Sequence, residues 1–447
     1  VPKAGQQAIV IGGSISGLLA ARVLADYYES VVVLERDVLP DGPQTRRGVP
    51  QGAHVHVALA RCSQILGELF PGLLDQLIAH GVPVWADGDL SKLYLSIGGH
   101  RLARIGRLRH PAANTAYYPS RAILEFLIRQ RVRGLSNVTI RDQREAIDVE
   151  SSSNRITGVR MANRDGSGEA TLLADLVVDA TGRGSRTPVF LEKLGYGRPL
   201  EEELVVRLSY TSLNLRLPAG ALTTKFFALY PEPGRLRGFA LAGYENNNWT
   251  LTLNSIMGQQ LPGTHTEILT FLEDLAPADV LEAVRSAETV GELSRYHVPS
   301  NRWRRYDKMR RMPNGLLVVG DAICSFNPIY GQGMTVAALE SLVLHHCLRG
   351  GDQDLARRFF HDSAKNIGVA WRTAVGADLA IPEVPGFRPV STRIVNAYLD
   401  RVLTAAQTDA VVAERFLSVI GLTEPPTNLL RPEVIFRIIK PVRQGCG

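Results

Sequence analysis

The fold is decided between residues 8 and 35, where Ala8-Ile9-Val10-Ile11-Gly12-Gly13-Ser14-Ile15-Ser16-Gly17-Leu18-Leu19-Ala20-Ala21 is followed by Val31-Val32-Val33-Leu34-Glu35. Four apolar residues run without alternation into a glycine-rich turn, the pattern of a strand covered on both faces. Apolar residues then take helical spacing as far as Leu24, so a helix begins at the turn. The β-branched run 31–34 is a second buried strand. Strand, tight turn, helix and strand make a βαβ unit with parallel strands.

In a turn of this kind three spaced glycines permit the tight bend, close approach of a pyrophosphate to the backbone, and close packing of helix on strand. Gly12 and Gly17 hold the first and third places, and Ser14 holds the second. Glu35, ending the second strand, stands where a carboxylate accepts the hydroxyls of an adenosine ribose, and the helix N-terminus would meet the diphosphate. The plain alternative is a glycine-rich turn that binds nothing. NAD and FAD share the ADP half, so this unit does not choose between them.

Composition narrows the class. A chain of 447 residues, 45% apolar and 21% charged, folds around large cores and corresponds to roughly three domain-sized units. A formal charge of +6 is too mild for a nucleic-acid footprint. Cys62, Cys324, Cys347 and Cys446 are scattered without a CxxC pair, which predicts neither zinc nor a disulfide framework and implies a reducing compartment. No apolar run reaches the roughly 18 residues of a membrane span, and the N-terminus lacks signal-peptide order; a cytoplasmic protein without a transmembrane segment is expected. The absence of GxSxG, Walker A and HExxH patterns removes serine hydrolases, P-loop enzymes and zincins.

Along the chain, residues 37–56 form a polar loop, while 59–77 and 120–132 read as helical. Strand-like 138–140, 157–159 and 176–179 are expected to return to the first sheet. Residues 204–256 read as a meander in a separate antiparallel sheet. A buried strand at 315–319 closes the first domain, and the chain beyond 354 is mostly helical.

Val177-Val178-Asp179-Ala180-Thr181-Gly182 and Gly320-Asp321-Ala322, with Pro328 and Gly331-Gln332-Gly333-Met334 after it, resemble the paired flavin-contact motifs of group A flavoprotein monooxygenases. The loop Arg46-Arg47-Gly48-Val49-Pro50-Gln51-Gly52-Ala53-His54-Val55-His56 and the run 320–334 resemble the bacterial epoxidases that act on polyketide polyenes, themselves similar to squalene epoxidase. The resemblance spans roughly residues 8–370, and the missing WxWxIP signature separates the chain from flavin halogenases. It implies an α/β fold with a discontinuous Rossmann-like FAD-binding domain (1–85, 115–190, 306–370), an antiparallel-sheet substrate domain (86–114, 191–305) and a helical C-terminal region (371–447).

The FAD contacts it implies are Gly12, Ser14, Gly17, Glu35, Arg36, Arg46, Gly48, Val49, Arg121, Asp179, Thr181, Gly182, Gly320, Asp321, Pro328, Gly331, Gly333 and Met334. Asp321 would accept a ribityl hydroxyl, a helix N-cap being the competing role. Gly331 and Gly333 would bring backbone amides to the charge on reduced flavin. Arg46 and Arg121 are otherwise two solvated surface arginines.

The implied activity is FAD-dependent monooxygenation, in which one oxygen atom passes from a flavin C4a-hydroperoxide to a hydrophobic alkene of a natural-product intermediate. O2 is the co-substrate. NAD(P)H or a separate flavin reductase supplies electrons, since no second nicotinamide-type fingerprint is present. The alternatives are an aromatic or quinone-precursor hydroxylase on the same fold, a flavin-dependent reductase of prenyl double bonds, and a carrier that has lost flavin. Because the cofactor carries the chemistry, no side-chain catalyst is assigned; His54, His56 and Pro328 are expected to flank the flavin. The HxH pair lacks a nearby carboxylate or cysteine at ligand spacing, so no metal is expected.

Phe226, Phe227, Leu229, Phe239 and Leu241 are candidates to line the hydrophobic substrate's pocket, with plain sheet core as the competing reading. The basic run 302–311 reads as an ion-paired strand or loop, or else as a docking patch for a reductant. Leu429-Leu430 and Val434-Ile435-Phe436 are expected to cap a hydrophobic channel or touch a membrane surface, helix packing being the simpler role.

Overall fold

The structure, a computed structural model, describes residues 3–439. Residues 440–447 of the expected C-terminal region, with Cys446, lie outside the described residues.

The apolar runs at 8–11 and 31–34 form the centre of a five-stranded parallel sheet. Its order is Leu316–Val318, Leu176–Asp179, Gly5–Ile11, Tyr28–Leu34 and Val138–Arg141. The helix Ile15–Tyr27 and the strand Arg155–Asn163 of a separate sheet both pack against it, so Ile9, Val10, Val31, Val33, Val177 and Val178 are almost wholly buried, which explains runs that do not alternate. The helix Ile15–Tyr27 packs against Gly333–Arg349. Residues 157–159 do not return to this sheet. They belong to the strand Arg155–Asn163 of a separate three-stranded antiparallel sheet with Arg144–Ser152 and Ala170–Leu173.

The second large sheet has eight strands, ordered Cys324–Ser325, Glu288–Arg305, Leu200–Arg216, Asn248–Ser255, Arg237–Gly243, Phe226–Leu229, Leu93–Ile97 and His100–Arg101. It is antiparallel except where Phe226–Leu229 pairs in parallel with Leu93–Ile97. One face packs on the helices His265–Glu273 and Ala278–Arg285 through Phe227, Phe239, Leu241, Trp249, Phe271 and Leu272. The opposite face looks toward the parallel sheet. Over its far end sit the helices Val390–Ala406 and Ala410–Ile420, with Pro432–Ile439 packed on them.

The basic run ends the strand Glu288–Arg305, and the neighbouring strand answers it with acids. Arg304 meets Glu201 at 2.9 Å, Arg305 meets Glu202 at 2.5 Å, and Lys308 meets Glu202 at 3.0 Å. Arg304 is only 5% exposed, so much of this charge is spent within the chain. Among the described residues no helix is long and apolar enough to cross a membrane.

Candidate active site

A cavity of about 600 Å³ lies between the two large sheets. Three turns from distant parts of the sequence meet at its base, and close backbone approach is why glycine occupies them. Gly12 has φ +106°, and a Cβ there would stand 2.6 Å from the Ala180 carbonyl oxygen. Gly320 has φ +65°, and its Cβ would press on Ser16 Oγ at 2.5 Å. Gly17 does not line the cavity; a Cβ on it would overlap the Gly12 carbonyl, so it serves helix-on-turn packing.

Ser14 replaces a glycine without strain because its backbone is extended, at φ −91°. Its hydroxyl turns away from the helix amides, donating to Glu125 Oε2 at 3.0 Å and accepting from Arg121 Nη2 at 2.8 Å. The helix N-terminus therefore stays uncapped by a side chain and open to an anion.

Arg46 and Arg121 are buried rather than solvated. Arg46 meets Glu125 at 2.8 Å, Glu35 at 3.0 Å and Asp37 at 3.3 Å. Burial pushes the Glu125 carboxyl up, but Arg121 and Arg46 together outweigh it and hold the group below its usual range. Glu35 also accepts from the amides of Gly13 and Asp37, both at 2.9 Å, which leaves about one of its roughly four lone-pair sites free. Two buried guanidinium nitrogens beside this turn, Arg46 Nη2 and Arg121 Nε, have no partner.

Asp321 caps nothing. It faces the cavity deep in the protein, and that desolvation raises its carboxyl above the ordinary value against the pull of Arg121 and Arg183. Gly333, at the uncapped start of its helix, lies beside it, a Cβ there standing 3.9 Å from Asp321 Oδ1. Asp179 is differently occupied. It accepts from Thr181 N and Oγ1 at 2.8 and 2.6 Å and from Ser185 and Thr187 hydroxyls at 2.5 Å, so it fastens its own turn while Thr181 and Gly182 face the space. Arg36, Gly48, Val49, Pro328, Gly331 and Met334 also line the cavity.

Unpaired buried donors, an open helix N-terminus and glycines that let the turns close on one another around the space are the features a bound dinucleotide requires. The residues fit FAD. Arg46, Arg121 and the Gly12–Gly17 turn would hold its diphosphate, Glu35 its ribose, and Asp321 with the 331–333 turn its flavin end.

Both histidines line the same cavity. His54 is 4% exposed and lies between Tyr210 and Tyr296, with ring centroids 5.2 and 5.5 Å away. Its Nδ1 is 2.7 Å from Ser212 Oγ, and burial drives its pKa down to about 4. His56 Nδ1 is 2.8 Å from the His54 carbonyl oxygen, so Nδ1 carries the proton; burial, then Arg121, pushes its pKa down to about 3. Both rings are neutral at pH 7.

Two of the sequence's substrate candidates lie elsewhere. Phe227 and Leu241 alternate to the helix-covered face and are fully buried there. Phe226 lines the cavity, while Leu229 and Phe239 reach its wall with side chains that belong to the same far-face core. The trough on the cavity side of the sheet is made by Ala228 and Ala240, bounded by Tyr118 stacked on Phe226 (5.8 Å, 7°) and Tyr230 stacked on Tyr330 (5.9 Å, 9°). The C-terminal helices do roof it, but through Leu417, Ile420 and Gly421, not through residues 429–436.

Sequence reasoning missed Glu125, Arg183, Asn254 and Asp378. Asp378 is 1% exposed and accepts from Tyr330 Oη at 2.8 Å, Asn301 Nδ2 at 2.6 Å and Asn327 Nδ2 at 3.0 Å. Burial raises its pKa to about 6. It ties the turn that carries Pro328 to the long helix Leu355–Leu379.

Residues 6–350 match the family described as the FAD binding domain. The protein Rv3254 of Mycobacterium tuberculosis is 38% identical over 427 residues, covering 93% of this chain and 90% of that one. A kynurenine 3-monooxygenase of Salinispora tropica is 27% identical over 423 residues, covering 89% and 84%. The crystal structure of p-nitrophenol 4-monooxygenase from Pseudomonas putida superposes with a TM-score of 0.66 at 17% identity, covering 94% and 99%. The chain belongs to the FAD-binding-domain family of flavoproteins. It is an FAD-dependent monooxygenase, and O2 is its co-substrate.

Proposed function

We propose that this monooxygenase transfers one oxygen atom to a carbon–carbon double bond of an uncharged, flat and largely apolar molecule. The observation that carries the reading is the segregation of charge in the cavity. Its ionisable acids and bases of strong charge, Glu35, Arg36, Arg46, Arg121, Arg144, Glu145, Asp179, Arg183, Arg186 and Asp321, all sit around the cofactor cradle. The eight-stranded sheet and the C-terminal roof contribute none. An ionised substrate there would lose hydration without gaining a counter-charge, which is strongly unfavourable. Kynurenine, with its carboxylate and ammonium, is poorly matched to such a space.

FAD, when bound, supplies the reaction with O2. The chain's part is to orient the substrate over the Ala228 and Ala240 trough, exclude water beneath the roof, and present the amides at the start of Gly333–Arg349 to negative charge. Electrons come from reduced nicotinamide directly or through a flavin reductase. Hydroxylation of an aromatic ring is a second reading, favoured by the Tyr330–Asp378 pair beside Pro328, where a carboxyl of raised pKa stands ready to take a proton through a phenol.

The test is incubation of the purified holoenzyme with 18O2, NADPH and either retinol or 2-naphthol, with and without a flavin reductase. One labelled oxygen retained in an epoxide supports the first reading, and one in a new phenol supports the second. A product that gains two hydrogens and no label would make the chain a double-bond reductase and overturn both.

A further inference from the structure

Across the end of the eight-stranded sheet nearer Asp321 and Arg183, one row of cavity-facing residues differs from the rest. Strand register places Tyr296, Tyr210 and Asn254 side by side on three successive strands, with Gly238 next in line. Tyr230 follows on the neighbouring strand end. All but Gly238 line the cavity. Asn254 is 3% exposed, and its buried amide oxygen Oδ1 has no partner among the described residues. Gly238 stands beside it, where a Cβ would strike the Leu229 carbonyl oxygen at 2.1 Å and also crowd Asn254 Oδ1 at 3.0 Å. His54, packed on Tyr210 and Tyr296, likewise keeps a buried and partnerless Nε2. The row is chemically uniform in carrying donors and acceptors without charge. The next rows into the cavity run through Ala228, Ala240, Ala242 and Phe226, and the hydroxyls they carry, on Thr252, Ser212 and Thr250, are already bonded within the protein, to one another, His54, Val55 N and Asn214.

Buried polar groups without partners cost free energy, and native structures leave few of them. Resting on the uncharged-substrate reading above, we propose that the Asn254, Tyr210, Tyr296 and His54 cluster is a recognition site for an uncharged hydroxyl or carbonyl oxygen. The substrate is therefore amphipathic, with one such oxygen held near the flavin end and an apolar body lying along the alanine trough. A site built to bond an oxygen rejects an analogue that lacks it more strongly than an apolar pocket discriminates methylenes.

The experiment is a titration of the oxidised holoenzyme with 2-naphthol and with 2-methylnaphthalene, which is similar in shape, read by perturbation of the flavin absorbance band. Wild type should bind 2-naphthol at least about tenfold more tightly, in keeping with one or two retained hydrogen bonds. Asn254→Leu should abolish that preference while still binding 2-methylnaphthalene. Tyr210→Phe, which removes only a hydroxyl, should reduce it, and retained flavin with an unchanged melting temperature reports that each variant folds. Equal binding of the two probes by wild type, or a preference that survives in both variants, overturns the site. If neither probe binds but 2-naphthoate does, the uncharged-substrate reading itself fails.

Discussion

Arg46 and Glu125 lie 2.8 Å apart with side chains only 6% and 7% exposed, joining a loop to the middle of the helix Arg121–Arg133 beneath the cofactor cradle. The pair belongs to a cluster in which Arg46 also meets Glu35 and Asp37, while Arg121 and Arg129 flank Glu125. Removing one partner leaves buried charge behind, which costs about 3–5 kcal/mol. Arg46→Met is therefore expected to lower unfolding stability by about that much and to release FAD, as urea titration and the flavin absorbance remaining after gel filtration would register. A stable, fully yellow variant would show that Arg46 is dispensable to the cradle.

Gly331 has φ +67° and an open space where a side chain would project. Gly331→Val should cost on the order of 1–2 kcal/mol in backbone strain yet lose most of the bound flavin, because the side chain enters the cradle. Full flavin content would mean that the 331–333 turn does not face the cofactor.

Glu340 receives the Gly320 amide at 2.6 Å, and burial pushes its carboxyl pKa up to about 8. A group raised in the folded state contributes stability fully below its unfolded value, and loses that contribution as pH rises through the folded value. Glu340→Gln keeps a neutral acceptor for Gly320. Its melting temperature should match wild type near pH 4, below the ordinary carboxyl value, and exceed it increasingly as pH rises to 9. Parallel curves across that range would show that Glu340 does not titrate there.

Ala240 forms part of the trough and stands on the eight-stranded sheet, away from the glycine turns of the cradle, so a larger side chain there fills substrate space alone. Ala240→Phe should keep FAD and lose the flavin perturbation caused by 2-naphthol. An unaltered titration would move the substrate elsewhere in the cavity.

The parallel sheet was legible because its strands are buried on both faces, so residues 8–11, 31–34 and 176–178 read as unbroken apolar runs. The strand Glu288–Arg305 was not, since much of its first half is polar and partly exposed and offers no clean alternation. The same holds for Arg144–Ser152, whose residues are mostly half-buried. At the site, the glycine turns and Asp321 could be read from local pattern. Glu125 was readable in principle, standing one helical turn after Arg121 on the same helix face. Asp378, Asn301 and Asn327 meet only through tertiary packing of a helix, a strand and a loop, and no local spacing announces them. Phe227 and Leu241 were misplaced because alternation says that neighbours face opposite ways without saying which face holds the cavity.

The most direct test of the account is a flavin-perturbation titration of the wild-type holoenzyme with 2-naphthol, 2-naphthoate and kynurenine side by side at pH 7. The divided cavity predicts saturable binding of 2-naphthol, and binding of the two charged compounds at least about a hundredfold weaker, as expected for an ion desolvated without a partner. Tighter binding of 2-naphthoate or kynurenine would contradict it and place a counter-charge in the half of the cavity that the eight-stranded sheet lines.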